Sequence, residues 1–241
     1  MMLINTRPKE LSNKIIEICN TENIEIENVP LSKIEFYSDE INSKIYDEVD
    51  KKICNFSNLI FTSQAAAKYG ANLLNSKLCF DRAKHNIFAV GEATKSILSE
   101  QGFEVIVPKI KSSNGLIDLI KKDFPGKNLI FCGENSNMNL QNALKEQMEE
   151  IKCYKLVFDK SQLQKIPSHS AIILVYNFLT FKFIYENIDN ESLKNKTFVI
   201  ASERIKSKIF ETFNISNIKK NIIVSKTYLD KDMLDTVKKL I

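Results

Sequence analysis

The chain has 241 residues, 44% hydrophobic and 27% charged, the balance of an ordinary globular protein with material for a sizeable core. No apolar run approaches the roughly 20 residues that span a bilayer, and Arg7 falls where a signal peptide needs its apolar stretch, so a cytoplasmic protein away from the membrane is expected. The formal charge of +4 reflects either an anionic partner or the lysine-rich bias of the whole chain; basic and acidic residues are interleaved, as over 146–152, and nucleic acid is not expected.

Short apolar strands alternate with amphipathic stretches, the pattern of βα units around parallel sheets. Residues 2–6 read as a strand, 8–19 as a helix with Pro8 in its first turn, and 24–27 as a second strand. A short extended segment, 31–36, follows Pro30, and 39–56 carries helical spacing at Ile41, Ile45, Val49 and Ile53. A regular series comes next: strands 59–62, 87–90, 105–107, 129–132 and 151–154, separated by helices 64–74, 92–100, 114–122 and 139–149. A second lone extended segment, 156–158, precedes strand 171–176, helix 178–187, strand 197–201, helix 202–213, strand 221–224 and helix 230–240.

The two N-terminal and three C-terminal strands together match the central five. The two sets also align with each other: NLIFTSQAAAKY with AIILVYNFLTFKF, IFAVGEATKSIL with FVIASERIKSKI, and LINTRPKELSNKI with NLIFCGENSNMNLQNAL. Chance recurrence of a generic βα pattern is the other explanation of these matches. The architecture expected is α/β: two similar flavodoxin-like lobes with parallel five-stranded sheets, one inserted into the other, with a ligand cleft between them. The terminal lobe comprises 1–30 plus 160–241, the inserted lobe 38–154, and the connector strands about 31–36 and 155–159.

Ligands approach an open parallel sheet at the C-terminal edges of its strands, and four such edges are marked here, at 6–8, 62–64, 90–94 and 132–135. Gly91 and Gly133 fall just after strands, where a backbone N–H can turn toward a ligand and the following helix N-terminus favours a carboxylate or phosphate. Ser63 and Thr94 stand where small hydroxyl residues cap helices; capping and ligand contact are compatible, and both readings stay open. No GxGxxG or GxxxxGK[ST] follows a strand, so nucleotide binding loses its usual support. Cys19, Cys54, Cys79, Cys132 and Cys153 are scattered without a CxxC pair, and His85 and His169 are the only histidines. Neither a disulfide framework, a metal centre nor a Ser/His/Asp triad is indicated.

Together these segments resemble the uroporphyrinogen-III synthase family. The resemblance covers nearly the whole chain and rests on NTRP, PLSKIE at the first crossing, LIFTSQAA, FAVGEATKSILSEQGFEVIVP, FCGEN, and IKCYKLVF at the return crossing. It implies two lobes on a two-stranded connector, a monomer, and a lyase of haem biosynthesis acting on hydroxymethylbilane without metal or organic cofactor. In the implied reaction the terminal hydroxyl leaves as water to give an azafulvene. Ring D then attacks through its substituted position to form a spiro intermediate, whose fragmentation and recombination invert that ring to give uroporphyrinogen III.

The resemblance further implies that the substrate's carboxylates are held by backbone N–H groups and hydroxyls at strand ends. By matching motifs Ser63, Gly91 and Thr94 take those positions, and the marked edges add Arg7 and Gly133 as binding candidates. The second lobe departs from the family pattern. Asn177 replaces a serine, and Ala201, Ser202, Glu203 and Arg204 replace a glycine and threonine turn; Asn177 and Ser202 can still bond a carboxylate, Arg204 can pair with one, and Glu203 repels it. Asn137 and Met138 stand where the family carries an arginine. Tyr154 matches a tyrosine proposed to assist departure of the hydroxyl; its other role is that of an interfacial aromatic at the connector. The competing class is a non-catalytic two-lobed binding protein for a small anionic ligand.

Overall fold

The computed structural model describes residues 1–37, 53–76, 80–136 and 138–241. Most of the helix expected over 39–56 lies outside the described residues, as do Cys79 and Asn137; Ile53–Asn55 forms a 3-10 turn. In chain order the strands are β1 Met2–Asn5, β2 Ile26–Asn28, β3 Ser32–Phe36, β4 Asn58–Phe61, β5 Asn86–Ala89, β6 Val105–Ile106, β7 Asn128–Gly133, β8 Met148–Phe158, β9 Ala171–Val175, β10 Lys196–Ile200 and β11 Ile222–Val224. The chain divides into two compact units, one formed by 1–33 with 157–241 and the other by 34–156.

The first unit is built on a five-stranded sheet in the order β11-β10-β9-β1-β2, parallel at each pairing. β9 is AIILV and is buried at every position, the continuous apolar run of a strand covered on both faces. Helices Asn13–Thr21, Phe178–Asn187, Glu203–Thr212 and Asp230–Val237 bring Ile15, Phe181, Ile209 and Leu234 to its core. Pro8 does not open the first α-helix. It precedes a 3-10 turn, Lys9–Leu11, and the α-helix starts at Asn13. Ser12 sets this break: its hydroxyl donates to the Pro8 carbonyl at 3.0 Å and accepts from the Asn5 amide at 2.9 Å, which fixes the residue before the helix.

The second unit contains a sheet in the order β3-β8-β7-β4-β5-β6. Its side chains alternate between two buried faces. Leu59, Phe61, Ile87, Ala89, Leu129 and Phe131 pack with helices Gln64–Asn75 and Glu92–Glu100, and Ile60, Phe88, Ile130 and Cys132 pack with helices Ser113–Asp123 and Asn139–Leu144. This sheet has six strands rather than the expected five. β8 runs unbroken through 151–154 and 156–158, and β3 lies beside it. Lys155 interrupts the apolar run from which a strand is read, but the ladder is made by backbone, and the Lys155 ammonium meets Glu35 on β3 at 3.1 Å. The helix expected over 139–149 likewise ends at Leu144, because Glu149 and Glu150 pair with Leu129 and Ile130 of β7.

Pairing β4 with β9, β5 with β10 and β7 with β1, as the internal sequence matches do, turns the order β6-β5-β4-β7-β8 into β11-β10-β9-β1-β2. Each sheet therefore has its first-aligned strand at the centre, and the loops after the three middle strands share one edge.

An asparagine ladder crosses the opposite, N-terminal edge of the second sheet. The Asn86 amide donates to Asn58 Oδ1 at 2.9 Å, the Asn58 amide donates to Asn128 Oδ1 at 3.0 Å and to the Phe124 carbonyl at 2.9 Å, and the Asn128 amide donates to the Gln147 carbonyl at 3.0 Å. Asn58 is fully buried. Replacing it with alanine leaves the buried Asn128 Oδ1 and the half-buried Asn86 amide and Phe124 carbonyl without their partner, so Asn58→Ala is expected to lower unfolding free energy by about 2 kcal/mol, read as an earlier urea midpoint at unchanged slope. An unmoved midpoint would show the ladder to be dispensable.

Candidate functional site

In the second unit β8, β7, β4 and β5 are adjacent and parallel; the C-terminal ends of β7, β4 and β5 line a single edge, and Tyr154, paired with Gly133 at the end of β7, brings β8 to it. After β4 the Thr62 hydroxyl donates to the Phe131 carbonyl at 3.1 Å, tying the turn to β7. Ser63 caps helix Gln64–Asn75 by accepting from the Ala66 N–H at 3.1 Å. The same hydroxyl oxygen lies 3.1 Å from the Tyr154 hydroxyl. Capping and contact with another functional group thus coincide in one side chain.

Tyr154 sits opposite Gly133 at an irregularity in the β7–β8 pairing. A Cβ built on Gly133 would stand 2.7 Å from Tyr154 Cζ and 3.0 Å from its hydroxyl, so the absent side chain is what lets the phenol lie across the end of β7. The backbone fixes the pair as well, since the Glu134 N–H donates to the Tyr154 carbonyl at 2.8 Å. Phe36 meets the Tyr154 ring edge-on at 6.5 Å between centroids and stacks on Tyr69 at 6.0 Å.

Burial raises the Tyr154 pKa, opposed by the hydrogen bond to Ser63. The group is therefore a neutral phenol at physiological pH. Either hydroxyl can donate in this contact; in the arrangement where Ser63 Oγ accepts from Ala66 and gives its own hydrogen to the phenol oxygen, the phenolic hydrogen is left for a third group. Tyr37, which the sequence reading passed over, stands near this edge. Its phenol is raised by burial and by the Glu134 carboxylate to which it is hydrogen-bonded.

Gly91 is the N-cap of helix Glu92–Glu100 and Thr94 is buried in the helix's first turn. The Gly91 carbonyl accepts from the N–H groups of Thr94 and Lys95, both at 3.1 Å. Its φ of −156° is extended backbone that any residue adopts, so the turn does not require glycine there. Gly102 and Gly126 are the glycines with positive φ, and Gly133 is needed for the approach of a ring rather than for a turn. What Gly91 supplies is the start of a helix whose first N–H groups lack intrahelical acceptors.

The first unit sets Arg7, Asn177 and Ser202 at the ends of the adjacent strands β1, β9 and β10. Asn177 caps helix Phe178–Asn187, its Oδ1 accepting from the N–H and hydroxyl of Thr180 at 2.9 and 3.1 Å. Ser202 caps helix Glu203–Thr212, its hydroxyl accepting from the Ile205 N–H at 3.4 Å. The Glu203 carboxylate lies 3.7 Å from Lys206, which tempers the repulsion expected of it.

Arg7 is tied down. Its Nη1 donates to Asp230 Oδ1 at 2.8 Å, its guanidinium lies 4.1 Å above the Tyr176 ring, and the Tyr176 hydroxyl donates to the same Asp230 oxygen at 2.9 Å. Burial, then Asp230, pushes the Tyr176 phenol far above the usual tyrosine range, and the same two causes push the nearby Cys19 thiol up to about 11. Sequence reading missed Tyr176 and Asp230. Tyr176 directly precedes Asn177 at a strand end and could have been found there, whereas Asp230 stands 223 positions from Arg7 with no local pattern to join them.

A model of the family described as "Uroporphyrinogen-III synthase HemD" matches residues 14–233, most of the chain and nearly all of both strand-end clusters. The chain belongs to the uroporphyrinogen-III synthase family. Two solved structures share the fold at low identity. A mutant uroporphyrinogen III synthase from the extremely thermophilic bacterium Thermus thermophilus is 13% identical, with 99% of this chain and 98% of that one covered and a TM-score of 0.63. Uroporphyrinogen-III synthetase from Helicobacter pylori is 15% identical, with 100% and 99% covered and the same TM-score of 0.63. No curated protein matches the sequence.

Among the described residues of this synthase-family chain no group of three or more His, Cys, Asp or Glu is placed to hold a metal ion. Cys19, Cys54, Cys132 and Cys153 are free cysteines, and among the described residues no helix is long and apolar enough to cross a membrane. The chemistry on hand in the second unit is a half-buried neutral phenol, a hydroxyl 3.1 Å from it and helix N-termini after neighbouring strands. That set donates hydrogen bonds to oxygen and suits the substrate of a uroporphyrinogen-III synthase, which loses a hydroxyl and carries carboxylates.

Proposed function

We propose that this enzyme, a lyase of haem biosynthesis, closes hydroxymethylbilane with its second-unit sheet edge as the seat of reaction. Family membership supplies the overall conversion: loss of water, closure through a spiro intermediate and inversion of ring D to give uroporphyrinogen III. The residue roles are our reading, and the 3.1 Å contact between Ser63 and Tyr154 carries them. Ser63 orients the phenol and the Tyr154 hydroxyl donates a hydrogen bond to the departing substrate oxygen; the C–O bond breaks as the pyrrole nitrogen releases electron density into the ring, and the proton lost from that nitrogen balances the one with which the hydroxyl leaves as water. Gly133 gives the phenol its room. The N-termini of helices Gln64–Asn75 and Glu92–Glu100, at Ser63, Gly91 and Thr94, hold substrate carboxylates.

In the first unit Arg7, Asn177 and Ser202 are carboxylate-binding groups at the ends of β1, β9 and β10. Most of the catalysis on this reading is positioning, because holding the chain ends in the spiro-forming geometry selects one of two competing closures. The architecture we infer is a duplicated flavodoxin-like half, one copy inserted in the other, with 31–36 and 155–159 as connector strands. The matching strand orders favour it. We also infer a cytoplasmic monomer working without cofactor, nucleic acid or membrane, from the family resemblance.

The test supplies hydroxymethylbilane to the purified full chain, oxidises the products and separates the porphyrin isomers. Predominantly type III product is expected. Type I alone, as formed in buffer, would overturn the proposal.

A further inference from the structure

We propose that Asp230, together with Tyr176, is a positioning residue that holds the Arg7 guanidinium ready for a substrate carboxylate at the C-terminal edge of β1. This rests on the reading above that Arg7 meets the substrate. Arginine carries five N–H donors in a planar fork, and a free side chain loses about 2 kcal/mol of rotamer freedom when one geometry is imposed. Here much of that geometry is already imposed. Asp230 takes Nη1 at 2.8 Å, the Tyr176 ring supports the guanidinium face at 4.1 Å, and the Tyr176 hydroxyl at 2.9 Å steers the shared Asp230 oxygen.

The clamp is incomplete in a way that suits a ligand. Among the described residues, Nε and Nη2 of Arg7 have no hydrogen-bond partner, and the side chain keeps 17% of its exposure while that of Asp230 keeps 7%. Arg7 follows β1, its neighbour β9 is followed by Tyr176 and Asn177, and β10 with Ser202 stands one strand further along the same sheet. A carboxylate arriving there meets an arginine already oriented, whose ring support and anchor are supplied from β9 and from the first turn of helix Asp230–Val237.

Charge alone predicts the opposite of what positioning predicts, and this separates them. Removing the negative charge of Asp230 strengthens the attraction of this edge for a polyanionic substrate, so a purely electrostatic role gives Asp230→Asn a lower KM. Loss of positioning gives a higher one. The experiment measures steady-state conversion of hydroxymethylbilane by the full chain for Arg7→Gln, Asp230→Asn and the double variant, with thermal unfolding run on each. Asp230→Asn is expected to raise KM about tenfold with a smaller change in kcat, and the double variant to be no worse than Arg7→Gln alone.

An unchanged or lowered KM for Asp230→Asn, with KM raised for Arg7→Gln, overturns the positioning role and leaves the Arg7 contact standing. An unchanged KM for Arg7→Gln removes that contact and the positioning role with it, without touching the isomer test of the reaction. Should Asp230→Asn fail to fold, Tyr176→Phe replaces it, since it keeps the ring and deletes the hydrogen bond to Asp230. KM raised about threefold in the wild-type background and unaltered in the Arg7→Gln background supports the proposal. No change in either overturns it.

Discussion

Tyr154→Phe is expected to lower kcat about 100-fold while KM changes little, the low end of what a positioned proton-donating group contributes. The substitution deletes one oxygen and keeps the ring that Phe36 packs against. Substrate binding through carboxylates is thus spared. Because uncatalysed closure continues in solution, the product should shift toward the type I isomer in proportion to the lost rate. Ser63→Ala acts at one remove: the helix loses its cap, about 1 kcal/mol, and the phenol loses its orienting partner but remains present, so a smaller fall in kcat is expected. A Tyr154→Phe enzyme with wild-type kcat and type III product would exclude the phenol from the reaction.

The pH dependence follows from the same burial. Tyr154 is an acid whose folded pKa is raised above the ordinary tyrosine value of 10.0. It therefore remains a donor across the neutral range, and its contribution to kcat is flat there, falling only as pH passes the raised value. In stability the sign is the same. The folded chain keeps a proton that the unfolded chain releases near pH 10, so the contribution is full below that pH and is lost as pH rises toward the folded pKa. Comparison of wild type with Tyr154→Phe between about pH 7 and 11 reads both effects, and a wild-type rate that already declines between about pH 7 and 8 while the variant's does not would contradict this assignment.

Much of the fold was legible because strands buried on both faces are continuous apolar runs, and LIF, IFA and AIILV fall at β4, β5 and β9 within a residue of where they were expected. The failures come where apolarity and backbone pairing part company. Lys155 hid the continuity of β8, and the stretch up to Glu149 looked helical although Met148 and Glu149 are laddered to β7. At the site, Ser63 and Tyr154 could be named from their motifs, but that they touch depends on β4 and β8 flanking β7, which no local pattern encodes. The capping role of Ser63 was legible for the opposite reason, since a cap is a contact three residues long. The partnership of Arg7 with Asp230 joins the first strand to the last helix and leaves no trace in sequence.

Gly133→Ala is expected to disable the enzyme nearly as fully as loss of the phenol, although it removes no functional group. Carbon atoms pack at about 3.5–4.0 Å, and the added methyl would lie 2.7 Å from Tyr154 Cζ. Something must move. β7 is buried at all six of its positions and laddered to β4 and β8, whereas the Tyr154 side chain on β8 is only half-buried, so the ring is the part that yields. A shift that relieves the contact breaks the 3.1 Å bond to Ser63 and carries the phenol away from the oxygen it is to serve. Overpacking of this kind costs about 1–3 kcal/mol, so the variant should remain folded with a lowered melting temperature. The double variant Gly133→Ala with Tyr154→Phe decides the cause. If glycine acts by making room for the phenol, the double has the kcat of Tyr154→Phe alone. If its loss multiplies with that of the phenol, then Gly133 serves the substrate through its own backbone, and the motif that marks this turn is there for a second reason.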